Sequence, residues 1–114
     1  MRKGKRIKTW QKDVHRVAVE HGWWKEGEER PAAEQFLNVI SEVCEAWEEY
    51  RSRGFSVPVY WDYEKPDGIG IELADAVIRI LDICEAQGID LESLMEYKHA
   101  YNKTRPYRHG NKLG

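Results

Sequence analysis

The segment "GIELADAVIRILDIC", residues 70–84, constrains the fold more than any other. At about 100° per residue, Ile71, Leu73, Ala74, Ala76, Val77, Ile78, Ile80, Leu81, Ile83 and Cys84 occupy nearly the whole circumference of a helix. A helix apolar almost all round has to be buried. Yet Glu72, Asp75, Arg79 and Asp82 share one stripe about 80° wide. Buried carboxylates without partners are expensive, so the stripe needs water, a cation or a basic group. Arg79 can compensate one acid, as a structural ion pair. It cannot easily compensate a second acidic helix packed opposite.

Such a helix lies upstream, in "ISEVCEAWEEYR", residues 40–51. Phe36, Leu37, Ile40, Val43, Cys44 and Trp47 form its broad apolar face. Asn38, Glu42, Glu45 and Glu49 gather on the other side, within roughly 60°. By itself this is an amphipathic helix with a wet acidic side. Facing the buried stripe, it becomes half of a cation site.

Stop and start signals divide the rest. A first helix is predicted over about 9–21, before Gly22, and a second from Pro31 to about Arg53, before Gly54. The third spans about 70–87, and Asp90 N-caps a fourth that ends near Thr104, ahead of Pro106. The intervening "FSVPVYWDYEKPDG" breaks helical periodicity, and a short hairpin within "SVPVYWDY" is permitted but not required. The expected class is all-α, a four-helix-bundle-like protomer. With 114 residues, one domain is expected: a basic flexible arm over 1–8, the helical domain over 9–105 and a tail over 106–114.

The fourth helix carries the opposite sign. Leu91, Leu94, Met95 and Tyr101 mark its inward face, and Lys98 and Asn102 share it, with Arg105 following in register. Three donors at i, i+4 and i+7 suit phosphate oxygens. Carboxylates and water are the ligands magnesium prefers, often shared with substrate phosphates. Such an ion can activate water and stabilise a phosphoryl displacement. The residues therefore point to a magnesium-dependent phosphoanhydride hydrolase.

Composition closes off other classes. The net charge of −2 is not the footprint of a dedicated nucleic-acid binder, despite Arg2, Lys3, Lys5, Arg6 and Lys8 at the start. No apolar run reaches the length of a membrane span, and no apolar region follows the basic start as in a signal peptide. Cys44 and Cys84 read as reduced core cysteines, which fits a reducing cytoplasm. A di-iron carboxylate bundle needs Glu-x-x-His on two helices, and Glu96 with His99 is the only such pair. The non-catalytic alternative is a helical interaction protein whose acidic face docks a basic partner.

The pairing of "SEVCEAWEE" with "IELADAV" resembles the ExxE…ExxD signature of the MazG-like, all-α nucleoside triphosphate pyrophosphohydrolases. Here it reads Glu42 and Glu45, 26 intervening residues, then Glu72 and Asp75. The closing "YKHAYNKTRPYRHGNK" also resembles the tail of small MazG-like proteins, with Lys98, Asn102, Arg105 and Lys112 at the matching positions. The resemblance covers roughly residues 32–112. It implies a helical bundle associating as a dimer or tetramer. It implies cleavage of nucleoside triphosphates between the α and β phosphates, giving the monophosphate and pyrophosphate. It makes Glu42, Glu45, Glu72 and Asp75 ligands of magnesium, with manganese as the alternative ion, and one acid a base for the attacking water; Glu45 is the choice, with Glu42 beside it. Related phosphoribosyl-ATP and deoxyuridine-type pyrophosphatases share these acids. Ser41 stands where many members have a further glutamate, and Glu49 is a candidate to replace it. Aromatic stacking and edge hydrogen bonds grip bases, which makes Trp23, Trp61 and Asn38 the base-binding candidates. His15 and His21 are expected at the surface or as caps.

Overall fold

The computed structural model describes residues 4–106. It contains α1 (Ile7–Glu20), α2 (Ala32–Arg53), β1 (Tyr60–Asp62), β2 (Lys65–Asp67), α3 (Ile69–Ala86) and α4 (Leu91–Lys103). The class is helical as expected, and all four helices fall within a few residues of their predicted bounds. Asp90 caps α4, its side chain accepting from the Ser93 amide at 3.2 Å and the Ser93 hydroxyl at 2.8 Å. No helix among the described residues is long and apolar enough to cross a membrane.

The hairpin that periodicity left optional is present. Its strands pair antiparallel, Tyr60 with Asp67, Trp61 with Pro66 and Asp62 with Lys65. Three residues per strand give no alternation to read, and the second strand lies beyond "SVPVYWDY". Two glycines weld the hairpin to α3. The Gly70 amide donates to the Pro58 carbonyl at 2.8 Å. A Cβ on Gly68 would meet that oxygen at 2.7 Å, and Gly68 holds φ +117°, a region L side chains rarely enter. A Gly68→Ala substitution is expected to destabilise the fold by about 2–3 kcal/mol, read by urea unfolding. A loss under about 0.5 kcal/mol would mean that the segment around Pro58 gives way freely.

Helix α3 sits centrally, with α1 and α2 packed on it. Its central place was predicted, but burial all round is not what the single chain shows: Leu73, Val77, Ile78 and Ile80 stay exposed. The sides its neighbours present were not predicted. On α2 the inward stripe is Gln35, Glu42 and Ala46. The apolar face faces out: Phe36, Leu37, Ile40, Val43 and Trp47 are all more than half exposed, and Cys44 is exposed with them. Cys44 is therefore not a core cysteine, whereas Cys84 is buried. No residue of α4 is buried, so Leu91, Leu94, Met95 and Tyr101 do not form an inward face in the single chain. Only Ala46, Ile69, Ala76, Leu81 and Cys84 make an apolar core among the described residues.

The basic start is also less free than expected. Lys8 lies inside α1. Lys5 pairs with Asp13 at 2.7 Å, and Arg6 pairs with Glu92 of α4 at 2.6 Å.

Candidate metal centre and adjoining cavity

The inward stripe of α2 meets the start of α3, and the carboxylates converge there. Glu42, Glu45 and Glu72 each offer an oxygen within 4.8 Å of the others. Glu42 is buried, Glu72 half-buried and Glu45 exposed. The spacing i, i+3 puts Glu42 and Glu45 on neighbouring turns of one face. Asp75, one turn past Glu72, is not one of this trio. It borders the site and lines the cavity beside it.

Electrostatics report the crowding. Burial, and then hydrogen bonds shared with Glu42, Glu45 and Asp67, push the Glu72 carboxyl up to about 9. Burial also works to raise Glu42. Its hydrogen bonds to Glu72 and to Arg79 outweigh this and hold it below the usual carboxylate range. These acids titrate as a unit in which Glu72 keeps the proton. Asp75 is raised by burial and then by the Glu42 charge. The compensating cation is Arg79, whose Nε donates to Glu42 Oε1 at 2.9 Å. One guanidinium against this many carboxylates leaves a deficit of positive charge. An oxygen-rich, open, under-compensated trio fits magnesium, which keeps water in its shell and binds few protein oxygens.

Sequence reasoning missed Asp67. It ends β2 and accepts from the Gly68 amide at 2.8 Å. That bond lowers its pKa, and a further hydrogen bond joins it to Glu72. The signal was the run "PDGIG", an acid beside two glycines at a helix start. Glu49 does not replace the missing glutamate. It accepts from the Tyr60 hydroxyl at 2.7 Å and lies 3.8 Å from Arg53 Nε, so it anchors the hairpin.

A cavity of about 340 Å³ opens next to Asp75, between α1, α2, α3 and the α1–α2 loop. Trp23 and Asn38, two of the three base-binding candidates, line it together with Arg30, Arg79 and Asp82. The Arg30 and Arg79 guanidinium groups each lie 5.4 Å from the Trp23 ring centroid. Trp61, the third candidate, stands exposed on β1 and does not line this cavity. His21 caps α1 through its backbone amide and lines the cavity.

Asp82, the last acid of the α3 stripe, does different work. Both its oxygens accept from Trp24 Nε1 at 2.9 Å, and His15 Nδ1 is 2.7 Å from one of them. Arg30 Nη1 lies 3.8 Å from the other. His15 is thus a partly buried partner of Asp82 rather than a surface or capping residue. Its role depends on a contact between residues 67 apart, which no local pattern shows. The node ties α1 and the α1–α2 loop to α3 and fixes one wall of the cavity. Asp82→Asn is expected to destabilise the fold by about 1–2 kcal/mol, because the amide keeps an acceptor for Trp24 but loses the charge beside Arg30, which retains Glu34 at 3.3 Å. Urea unfolding followed by tryptophan emission checks this, and unchanged stability would reduce the node to a surface contact.

The donors of α4 stand apart from the acids. Lys98 and Asn102 are exposed, and Arg105 is half-buried. The Lys98 Nζ sits 4.9 Å over the Tyr101 ring and the Arg105 guanidinium 5.7 Å from it. Among the described residues no ion pair joins either cation to a carboxylate. Lys112 lies outside the described residues. No known protein family, curated protein or solved structure matches the chain.

Proposed function

We propose that this protein is a magnesium-dependent nucleoside triphosphate pyrophosphohydrolase that works as a homo-oligomer. The observation that carries the reading is the trio Glu42, Glu45 and Glu72, with oxygens within 4.8 Å and one guanidinium to balance them, beside a cavity walled by Trp23 and Asn38. A base in that cavity would project its phosphate chain past Asp75 toward the acids. Magnesium, or manganese in its place, would supply charge neutralisation for the phosphates and for the water they react with.

The residues divide the remaining work. Glu42, Glu45, Glu72 and Asp75 would hold the ion, and Asp67 hydrogen-bonds to Glu72 beside them. Glu45, the exposed member, would accept a proton from the attacking water. The water oxygen bonds to the α-phosphorus as the bond from that phosphorus to the bridging oxygen breaks. Pyrophosphate leaves with the bonding pair, and the monophosphate remains. Trp23 offers a face for the base, and the Asn38 amide offers one donor and one acceptor for its edge.

The test is product analysis. Ribo- and deoxynucleoside triphosphates are incubated with and without magnesium, and the products are separated. Monophosphate and pyrophosphate, formed only with the ion, are expected. Diphosphate and phosphate would place the cleavage at the wrong bond. No turnover of any nucleotide by folded, magnesium-loaded protein would favour a binding role for the acidic face.

A further inference from the structure

The cavity beside the acids is lined by two buried groups whose hydrogen-bonding capacity the chain does not use. The Arg30 side chain is 9% exposed. Its Nε donates to Glu34 Oε1 at 3.3 Å, while its Nη1 stands 3.8 Å from Asp82, too far for a hydrogen bond. Among the described residues its Nη atoms donate to nothing. Gln35 is 6% exposed, and its Nε2 donates to the Arg30 carbonyl at 2.9 Å. Its Oε1 accepts from no described residue. Among the described residues no side-chain nitrogen or oxygen sealed from solvent lacks a partner, so these free atoms keep access to the cavity that both residues line. Buried donors and acceptors left unpaired are costly, and a ligand that pairs them gains what the chain forgoes.

Both groups are held in place. The Arg30 guanidinium lies 4.9 Å from the Trp24 ring centroid and 5.4 Å from that of Trp23. The Gln35 amide cannot turn over without losing the Arg30 carbonyl, so its oxygen stays an acceptor. Asn38, with a donor and an acceptor, can turn to suit any base, but a guanidinium has donors only. Both Asp82 oxygens are taken by Trp24 and His15, so this carboxylate does not reverse the pattern. The wall thus offers two adjacent donors and a neighbouring acceptor. The matching base edge carries two adjacent acceptors and then a donor. Cytosine has this order in O2, N3 and the N4 amino group, and guanine has it in N7, O6 and N1–H. Adenine, uracil and thymine alternate acceptor, donor, acceptor, which sets a base donor against the Arg30 fork.

We propose that Arg30 and Gln35 select the base, and that the substrate carries cytosine or guanine rather than uracil, thymine or adenine. The inference rests on the hydrolase reading for the use of this cavity, but it is tested by binding, apart from turnover. A cavity of about 340 Å³ admits either ring size, and the experiment separates them.

Metal-free protein is titrated with the 5′-monophosphates of cytidine, uridine, guanosine, inosine and adenosine, and the Trp23 indole resonance is followed by NMR. Cytidine monophosphate should bind at least about tenfold more tightly than uridine monophosphate, and the guanosine and inosine compounds should exceed the adenosine one by a similar factor. Failure of both pyrimidines or of all three purines, with selection kept in the other ring size, would identify the single base taken. Uridine or adenosine bound as tightly as its same-sized rival, or no shift with any nucleotide at millimolar concentration, would overturn the proposal. Changes of one ligand atom leave the fold untouched. The 3-deazacytidine and 7-deazaguanosine monophosphates each lose one acceptor of the pair and should lose their parents' advantage; unaltered affinity would remove the Arg30 fork from recognition. Arg30→Lys keeps the charge without the fork and should narrow the gap between same-sized nucleotides, with circular dichroism checking its fold. Equal kcat/KM for pyrophosphate release from all the triphosphates would sink base selection and leave the hydrolase reading intact. Selective binding by protein that turns over no triphosphate would sink the hydrolase reading and leave the selection standing.

Discussion

Glu42→Gln/Glu72→Gln protein is expected to release pyrophosphate at least about 1,000-fold more slowly than wild type while folding normally. The two changes preserve side-chain volume and the Arg79 contact, since a glutamine oxygen can still accept from its Nε. They remove two of the three carboxyl groups that would hold an ion at this corner of α2 and α3. Only a residue of binding and orientation should remain, because the effects of groups acting as a unit do not add. Glu72→Gln removes a carboxyl that burial disfavours when ionised, whereas Glu42→Gln removes the anion facing Arg79, so the two changes oppose each other and the variant should stay folded. Lost activity with a retained fold separates a functional defect from a folding defect. Retained activity would remove the trio from the mechanism.

The carboxylates and the helix that carries two of them were among the parts of the chain that could be read in advance. Helix α3 was legible as the central helix because its apolar residues surround it, but Leu73, Val77, Ile78 and Ile80 stay exposed in the single chain. The acids were legible because ExxE and ExxD put carboxylates on adjacent turns. Their convergence follows once α2 lays Glu42 and Ala46 against α3. The orientation of α2 was not legible. Amphipathicity identifies which face seeks cover but not whether that cover belongs to the same chain. Here the apolar face, from Phe36 to Trp47, stays outside, and the acidic face turns in. The same ambiguity misplaced Cys44 and the supposed inner face of α4. Asp67 and the His15–Asp82 contact were invisible for another reason. Each depends on the chain turning back, through a hairpin of three-residue strands or between helices far apart in sequence.

In the absence of metal, stability should fall as pH rises from about 5 to 9, and magnesium should reverse much of that fall. Glu72 has an ordinary value of 4.5 and is pushed up to about 9 in the folded chain. Between those values the unfolded chain has released this proton and the folded chain still holds it. The unfolded state binds fewer protons, so each step up in pH favours unfolding. The stabilising effect is complete below the ordinary value and is lost as pH passes the folded one. Glu72 is half-buried, and solvent screening reduces the effect to about 1–2 kcal/mol, roughly 5–10 °C in melting temperature. Magnesium binds the ionised form, so its stabilisation should grow over the same interval. Melting curves at pH 5, 7 and 9, with and without 5–10 equivalents of the ion, would show two lines of differing slope. Glu72→Gln should flatten the metal-free line and abolish the magnesium response. A metal-free line already flat in wild type would mean that the carboxylates relax apart into water, and a cluster that relaxes so easily would not hold an ion.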